Sequence, residues 1–436
     1  MREAIKRYSK FRESEINRLG AIPESWSVHR IKDLVTKIGN GVTPRGGSEV
    51  YEDAGIPFLR SQNVYDDGLR LENVSFISSQ IHNEMKSSQL KHGDILINIT
   101  GASIGRTCLV PASLRQANIN QHIAFLRIRK SFNPLYIAWF LKSCFIKDYI
   151  QIEQNGASKE AFNLSQIANI PLALQPIDRQ ATIAHYLDTK TAQIDRKIDL
   201  LTQKAQRYEE LKRSLINETV TRGLDKSVPM KDSGIEWIGE IPEHWEVERI
   251  NDVAVQQKIK NVGLKEKNLL SLSYGKIKRR DFDTSFGLLP ESFETYQIIE
   301  ADNIILRLTD LQNDQRSLRV GLVPEKGIIT SAYLCLKFAK RIYPNFAYYL
   351  LHSYDLSKVF YWFGGGLRQS MKFDDIRVFP FAFPQYSEQK AISDYLDAKT
   401  SQIDQIIQTI KSSIGKQKEL RKTLINDVVT GKIKVA

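Results

Sequence analysis

The chain has 436 residues, 42% of them apolar and 26% charged, which allows two to four domains and is typical of globular proteins. No apolar run approaches the roughly 18 residues needed to span a bilayer, and the charged start predicts no secretory signal. Three widely spaced cysteines exclude a disulfide framework and a zinc ribbon, so we expect a reducing cytoplasmic location. The net charge of +12 is spread along the chain, which suits a slightly basic globular protein as well as a polyanion binder.

A short motif near the start of the chain occurs again 219 residues later. Residues 14–35 align with residues 233–254, and 11 of the 22 positions are identical. Both copies contain the pattern Gly-x-Ile-Pro-Glu-x-Trp. Because similarity at a fixed offset is the signature of a repeated architecture, these motifs indicate the starts of two related halves.

A variable region of mixed α and β pattern follows the first motif. The turn pair Gly93-Asp94 precedes an apolar run at 95–100 that predicts a strand, and residues 123–129 predict another. Asn133-Pro134 opens a helical pattern over 135–150.

The second repeated segment has the pattern of a long helix. Residues 171–221 align with residues 380–430 without a gap, and 20 of 51 positions are identical. Prolines 171 and 176 precede the helical pattern, as Pro380 and Pro384 do in the copy. Apolar residues then recur at alternating spacings of four and three, near the 3.5-residue period of a coiled coil. We expect the following apolar residues to mediate helix pairing: Leu187, Ile194, Ile198, Leu201, Ala205, Tyr208 and Leu215, with Leu396, Ile403, Ile407, Ile410, Ile414 and Leu424 in the copy.

Polar residues interrupt both apolar stripes and leave two arrangements open. The interruptions are Thr191 and Lys212 in the first stripe, and Thr400, Gln417 and Arg421 in the second. About 40 residues at 1.5 Å each would make a helix of about 60 Å. The helices could pack separately on their own domains, or they could pair with each other. Their matching length and stripes favour pairing.

The second variable region repeats the order of the first with little sequence identity. Residues 303–308 and 332–338 predict strands, and residues 346–360 predict a helix. The predicted fold class is α+β: two mixed α/β domains joined by two long helices, with an internal pseudo-two-fold duplication. The predicted segments are a first variable domain, a central helix, a second variable domain and a final helix, at 1–170, 171–225, 226–379 and 380–436.

No catalytic motif is evident. The seven histidines lack metal-ligand spacing, so we expect no metal site. Asn133-Pro-Leu-Tyr136 is similar to the Asn-Pro-Pro-Tyr loop of amino-methyltransferases, but a helix-opening proline explains it better. Gly101–Gly105 and 364–366 lack the Lys-Ser/Thr ending of a phosphate-binding loop.

The repeated motifs strongly resemble those of the specificity subunits of type I restriction-modification systems. The resemblance rests on Gly-Glu-Ile-Pro-Glu-His-Trp-Glu-Val from 239, on Tyr-Leu-Asp-Ala-Lys-Thr-Ser-Gln-Ile-Asp from 395 and on the duplicate of each, and it covers almost the whole chain. It implies that each variable region is a target-recognition domain reading one half of a bipartite, asymmetric site in double-stranded DNA. It further implies that the two helices form an antiparallel spacer.

The same resemblance implies the partners. Two methylation subunits would dock on the helices, bind S-adenosylmethionine and methylate adenine. A restriction subunit, which uses ATP and Mg²⁺, would join them in some systems. This chain would then bind no cofactor and have no catalytic residue of its own, and it would have no membrane partner.

Base reading requires basic, amide or hydroxyl side chains on exposed loops. The candidates in the first region are Arg60, Ser61, Gln62, Asn63, Thr100, Ser103, Arg106, Asn118, Asn120 and Gln121. Those in the second region are Tyr274, Lys276, Lys278, Arg279, Arg280, Arg307, Thr309, Gln312, Arg316, Arg368 and Gln369. For each candidate taken alone, a solvated loop residue is the simpler explanation, and the dense basic cluster at 278–280 suits phosphate better than a base.

Two other classes of function remain open on the sequence. An enzyme with an unrecognised site would modify DNA on its own, given Mg²⁺ or S-adenosylmethionine. A coiled-coil adaptor that binds only protein would show no affinity for DNA even at low salt, whereas a DNA-binding protein loses affinity steeply as salt rises.

Overall fold

The computed structural model describes residues 7–154, 161–280, 292–314, 318–363 and 370–435. These residues form two compact units, and each unit combines one variable region with parts of both long helices. The first unit takes the described residues up to Leu201 and those from Ser412 onward, and the second takes Thr202–Lys411. Segments that are distant in the chain fall in one unit because the end of each long helix packs into a core. Val428 lies in the first core and Val220 in the second. The division into four consecutive segments stays a prediction.

The first unit contains two main sheets. Its strands are β1 (Phe11–Glu13), β2 (Ala21–Pro23), β3 (Ser27–Arg30), β4 (Val35–Asn40), β5 (Ile56–Leu59), β6 (Val64–Tyr65), β7 (Gly68–Leu69), β8 (Ser75–Ile77), β9 (Ile95–Asn98), β10 (Thr107–Leu109), β11 (Asn118–Ile119), β12 (Ile123–Ile128) and β13 (Pro171–Leu174). One sheet has the order β10-β9-β12-β4 and the other β11-β5-β8. The helices are α1 (Ile31–Leu34), α2 (Ser79–Glu84), α3 (Pro134–Leu141), α4 (Cys144–Gln154), α5 (Leu164–Ala168) and the start of α6 (Ile177–Arg222).

The second unit repeats the four-stranded sheet of the first, whereas its three-stranded sheet has a different strand order. Its strands are β14 (Met230–Asp232), β15 (Glu240–Pro242), β16 (Glu246–Arg249), β17 (Ala254–Gln257), β18 (Ile259–Lys260), β19 (Leu270–Ser273), β20 (Lys276–Arg279), β21 (Gln297–Ile299), β22 (Ile304–Leu306), β23 (Val320–Leu322), β24 (Gly327–Ile329), β25 (Leu334–Phe338) and β26 (Pro380–Phe383). The sheet order β23-β22-β25-β17 matches β10-β9-β12-β4 strand for strand. The helices are α7 (Ile250–Val253), α8 (Pro344–Leu356), α9 (Val359–Phe363), α10 (Phe373–Ile376) and most of α11 (Tyr386–Val429).

The structure confirms the predicted fold class and corrects details of its elements. Each predicted strand is present, but the predicted helices at 135–150 and 346–360 are each two helices. The second one breaks at Lys358, whose φ of 62° is left-handed and cannot continue an α-helix. The residues from Pro171 and Pro380, interpreted as preceding a helix, first form β13 and β26, which pair with β3 and β16. Strand pairing thus attaches the start of each long helix to the first repeated motif of the same unit.

The Gly-x-Ile-Pro-Glu-x-Trp motif packs under the end of a long helix in each unit. Trp26 is buried in the first core with Val428 and Val429 from the end of α11. Gly431, just beyond that helix, has φ of +82°, and a Cβ there would lie 2.4 Å from Pro23 Cδ. In the second unit Trp245 donates its indole N–H to Glu388 at 3.2 Å and shares the core with Val220. The motif recurs because each unit needs this same contact.

The apolar stripes of α6 (46 residues) and α11 (44 residues) face inward. Leu187, Ala205, Leu396, Ile403, Ile407 and Ile410 are buried, and Ile194, Ile198, Leu201, Tyr208, Leu215, Ile414 and Leu424 are half-buried. Leu200, Leu211 and Leu420, which lie off the stripe, are each more than half exposed. In both units the helices run antiparallel, since residues late in one lie beside residues early in the other.

An ion pair joins the helices in each unit. Arg421 Nε donates to Asp195 at 2.8 Å in the first unit, and Lys212 Nζ lies 2.7 Å from the Asp404 carboxylate in the second. The 209-residue repeat that relates the helices maps Asp195 onto Asp404 and Lys212 onto Arg421. Two of the five residues interpreted as interruptions of the stripes, Lys212 and Arg421, are therefore the cationic halves of a duplicated contact.

Candidate nucleic-acid interface

Three loops of the first unit surround an open cavity of about 390 Å³. The sequence-predicted residues Ser61, Gln62, Thr100, Ser103 and Arg106 all line it. They come from segments up to 45 residues apart in the chain, so the fold brings together candidates that the sequence could only name separately. Tyr65 and His122 also line it and were not predicted, and Gly101 and Ala102 complete the lining.

Asn98, at the end of β9, holds two of these loops together. Its side-chain amide donates to the carbonyl oxygen of Ser61 at 2.8 Å and to Ser103 Oγ at 3.0 Å. The residue is completely buried, so these bonds form away from competing water. Sequence analysis placed Asn98 in a strand and missed this role, because the pattern of apolar residues does not reveal a cross-loop contact.

Arg106 precedes β10 and lies over an aromatic ring. Its guanidinium carbon is 4.7 Å from the centroid of the Tyr65 ring, a favourable cation–π distance. Arg70 also approaches this ring, at 5.3 Å, but its guanidinium is paired with Asp67. The contact with the ring restricts the side chain of Arg106.

A chain of polar side chains borders the cavity. Thr100 Oγ1 and His122 Nδ1 are 2.7 Å apart, and His122 Nε2 lies 3.2 Å from the amide nitrogen of Gln121. Thr43 Oγ1 donates in turn to the Gln121 side-chain oxygen. The backbone before Thr43 can approach the backbone of Ile119 closely because residue 41 is glycine. A Cβ at Gly41 would lie 2.0 Å from the carbonyl oxygen of Ile119. Gln121 is therefore an exposed candidate with a fixed orientation.

Four first-region candidates do not fit direct base contact as predicted. Asn63 is buried, and its amide accepts from the backbone N–H of Arg60 and donates to the Arg70 carbonyl oxygen. Asn118 is fully buried and bonded to His82 and Ser88, and Asn120 is also buried. Arg60 packs over Tyr51, and its Nε is buried. These side chains shape the loops from inside, a role that residue type alone could not distinguish from base reading.

Exposed basic residues of the second unit lie on the β19–β20 hairpin. Lys276 and Lys278 are exposed and flank the buried Ile277, as strand alternation requires. Tyr274 in the turn is 81% exposed, with a φ of 48°. Arg279 Nε donates to Glu325 at 2.6 Å, so part of the predicted basic cluster is neutralised. Arg280 is half-buried at the end of the hairpin.

Three further second-region candidates lie on the loop after β22. Arg307 and Thr309 are half-buried, Gln312 is exposed, and Arg307 lies 3.4 Å from the Asp314 carboxylate. Arg316, Arg368 and Gln369 lie outside the described residues. The structure therefore brings together only part of the predicted set for this unit.

Arg319 holds this loop from within, and sequence analysis missed it. The residue is completely buried, and its guanidinium donates to the carbonyl oxygens of Arg307 at 3.0 Å and Thr309 at 2.8 Å. It also donates to the carbonyl oxygens of Asp310 and Asp314 and to the Tyr361 hydroxyl. The backbone N–H of Arg319 donates to Asp355, whose burial raises its carboxyl pKa to about 6. Such a network fixes loop conformation strongly.

The described residues show neither a metal-binding cluster nor an activated thiol at Cys108 or Cys335. Among them, no group of three His, Cys, Asp or Glu side chains could hold a metal ion. Burial raises the thiol pKa of Cys108 and Cys335 to about 12, which suppresses the nucleophilic thiolate. Within the ranges that the structure covers, no helix is long and apolar enough to cross a membrane.

The described residues thus form a duplicated α+β fold that carries different polar surfaces on its two units. Residues 23–210 match the family described as the type I restriction modification DNA specificity domain. The type I restriction enzyme MjaVIII specificity subunit of Methanocaldococcus jannaschii is 23% identical over 435 residues, covering 95% of this chain and 94% of that protein. A second protein of this archaeon, provisionally named the MjaX specificity subunit, is 23% identical over 98% of this chain and 97% of its own.

Solved structures show the same fold. A chain from a study of complex assembly and conformational transition of the type I restriction-modification system superposes with a TM-score of 0.71 at 14% identity, over 94% of this chain and 99% of that chain. The HsdS subunit of Thermoanaerobacter tengcongensis has a TM-score of 0.52 at 14% identity, over 94% and 98%. The chain is therefore similar over nearly its whole length to specificity subunits of type I restriction-modification systems, and its residues 23–210 match the DNA specificity domain of those systems.

Proposed function

We propose that each unit reads one half of an asymmetric, bipartite site in double-stranded DNA. The observation that carries this proposal is the four-stranded sheet that the two units share, combined with their different loops. One unit presents the cavity lined by Gln62, Thr100 and Arg106, and the other presents a basic hairpin and a loop built around Arg319. Two different surfaces on one duplicated fold suit two different half-sites.

The long helices would set the gap between the half-sites and dock two methylation subunits. Their off-stripe apolar residues support docking, because Leu211 and its repeat counterpart Leu420 are each more than half exposed. S-adenosylmethionine would be held by those methylation subunits, and ATP and Mg²⁺ by restriction subunits where present. This chain would supply recognition and would work on cytoplasmic DNA.

The test is single-molecule sequencing of methylated adenines in cells that express the chain with its methylation partner. We expect a new split motif with a fixed gap. Alanine at Gln62 and Ser103 should change one half of the motif only, because these side chains line the cavity of the first unit. Alanine at Arg307 and Gln312 should change the other half only.

The matched pair of variants makes the assignment specific to each unit. If one pair altered both halves of the motif, the division of reading between the units would be wrong. If the associated proteins gave no motif, the chain would be a protein-binding adaptor and the proposal would fail.

A further inference from the structure

One position of the fold carries an arginine in both units. The backbone N–H of Asn98, the last residue of β9, donates to the carbonyl oxygen of Arg106 at 2.9 Å. The backbone N–H of Arg307, after β22, donates to the carbonyl oxygen of Arg319, also at 2.9 Å. Each arginine immediately precedes the paired strand, β10 or β23. Arg106 and Arg319 are therefore structural equivalents, although the intervening loops do not align in sequence.

The two equivalent side chains have different environments. The connection is longer by four residues in the second unit, from 307 to 319 against 98 to 106, and its carbonyl oxygens surround the Arg319 guanidinium. Because Arg319 is completely buried and bonded on each nitrogen, it has no donor for a ligand. Arg319 is a positioning residue.

The shorter loop leaves Arg106 open to the cavity. Its guanidinium rests over Tyr65, and none of the described residues accepts a hydrogen bond from it. Asn98 fixes the two loops that flank it, so the cavity and the arginine are held in a defined geometry. An arginine that is pre-oriented loses less conformational freedom on binding than a free one.

The chemistry of the lining favours a base edge over a phosphate. Phosphate oxygens only accept hydrogen bonds, whereas Gln62, Thr100 and Ser103 offer both donors and acceptors beside Arg106. The major-groove edge of a base pair also carries both, and a guanine presents the O6 and N7 acceptors that an arginine fork matches. We propose that Arg106 reads one guanine in the half-site of the first unit. This inference rests on the proposed function.

The test compares Arg106→Ala with Arg70→Ala, each in the full chain with its methylation partner, by sequencing methylated adenines. Both arginines lie over Tyr65, but Arg70 does not line the cavity. For R106A we expect the preference for guanine at one position of one half-site to fall roughly 5- to 150-fold, the range for one bidentate contact. The other half-site and the gap should be unchanged, and R70A should keep the wild-type motif.

Three results would overturn the inference. R106A could keep the complete motif, or it could lower methylation at all sites equally, which is the behaviour of a phosphate contact. R70A could produce the same relaxed position, which would attribute the effect to Tyr65 packing. Failure of the proposed function is distinguishable from these, because it would leave even the wild-type chain without a motif.

Discussion

The burial of single residues decides their roles, and sequence patterns reveal burial only partly. Arg106 was predicted as a candidate from its residue type and loop position. Arg319 was not predicted, because nothing in its local sequence separates a buried arginine from an exposed one. Its burial depends on a loop that folds its carbonyl oxygens inward, which is a long-range property of the fold. Asn63 and Asn118 are the opposite case: they were predicted as base-reading candidates, but both are buried. Polar loop residues can satisfy buried polar groups instead of facing solvent.

Two buried titratable residues on α8 should affect stability in opposite directions. Burial lowers the pKa of His352 to about 4, with Lys212 and Arg213 contributing, and it raises the pKa of Asp355 to about 6. The neutral histidine stabilises the fold fully above its unfolded-state pKa of about 6.5, and this contribution is lost as pH falls toward 4. The protonated Asp355 stabilises the fold below about pH 4, and this contribution is lost as pH rises through 6.

We therefore expect substitutions at these two positions to tilt the pH dependence in opposite senses. Between pH 6.5 and 4.5 the wild-type contributions largely cancel. When the pH is lowered from 6.5 to 4.5, the free energy of unfolding of His352→Gln should rise by about 2 kcal/mol relative to wild type. Over the same pH range that of Asp355→Asn should fall by about as much. Urea titrations followed by tryptophan fluorescence at the two pH values measure both slopes. Equal slopes in both variants and wild type would show that neither group is held in its neutral form.

At the scale of elements, the repeats predicted the two long helices well. The 3.5-residue period depends only on local spacing, so the inward stripe could be identified from the sequence. The interhelical ion pairs could not, because their partners lie more than 190 residues apart. Lys212 and Arg421 were interpreted as interruptions, yet each extends its charged end to a carboxylate at the edge of the stripe.

The duplicated ion pairs should contribute to the register of helix pairing. Arg421→Glu places two carboxylates together and should destabilise the first unit by about 1 kcal/mol, since both groups are partly exposed. The exchanged pair D195R/R421E should recover most of this loss. The control is Lys226→Glu beside Glu218, where the lysine side chain is 82% exposed and little change is expected. Urea midpoints measure all the variants, and an exchanged pair no more stable than R421E would exclude a register role.

At the scale of the whole molecule, the sequence predicted the duplication because both repeated motifs keep residues needed for folding. The tryptophan of the first motif packs under a helix end, and the strand before each long helix pairs with that motif. Such contacts constrain sequence in both copies. The variable loops carry no comparable constraint, since the sheets beneath them already supply the core. The loops could therefore diverge in length and sequence until only the topology revealed their common origin.

The proposed function makes the length of the helices a determinant of the DNA site. Inserting four residues after Lys204 and four after its repeat counterpart Ser413 lengthens both helices by about one turn, or about 6 Å. If the helices set the gap, the methylated motif should keep both half-site sequences while the gap grows by about two base pairs, at 3.4 Å each. Sequencing of methylated adenines reads the half-sites and the gap together. Four alanines placed between Lys226 and Ser227, after α6 ends, are the matched control and should leave the gap unchanged. A change in the recognised bases at constant gap would mean that the helices influence reading itself and do not act as a spacer.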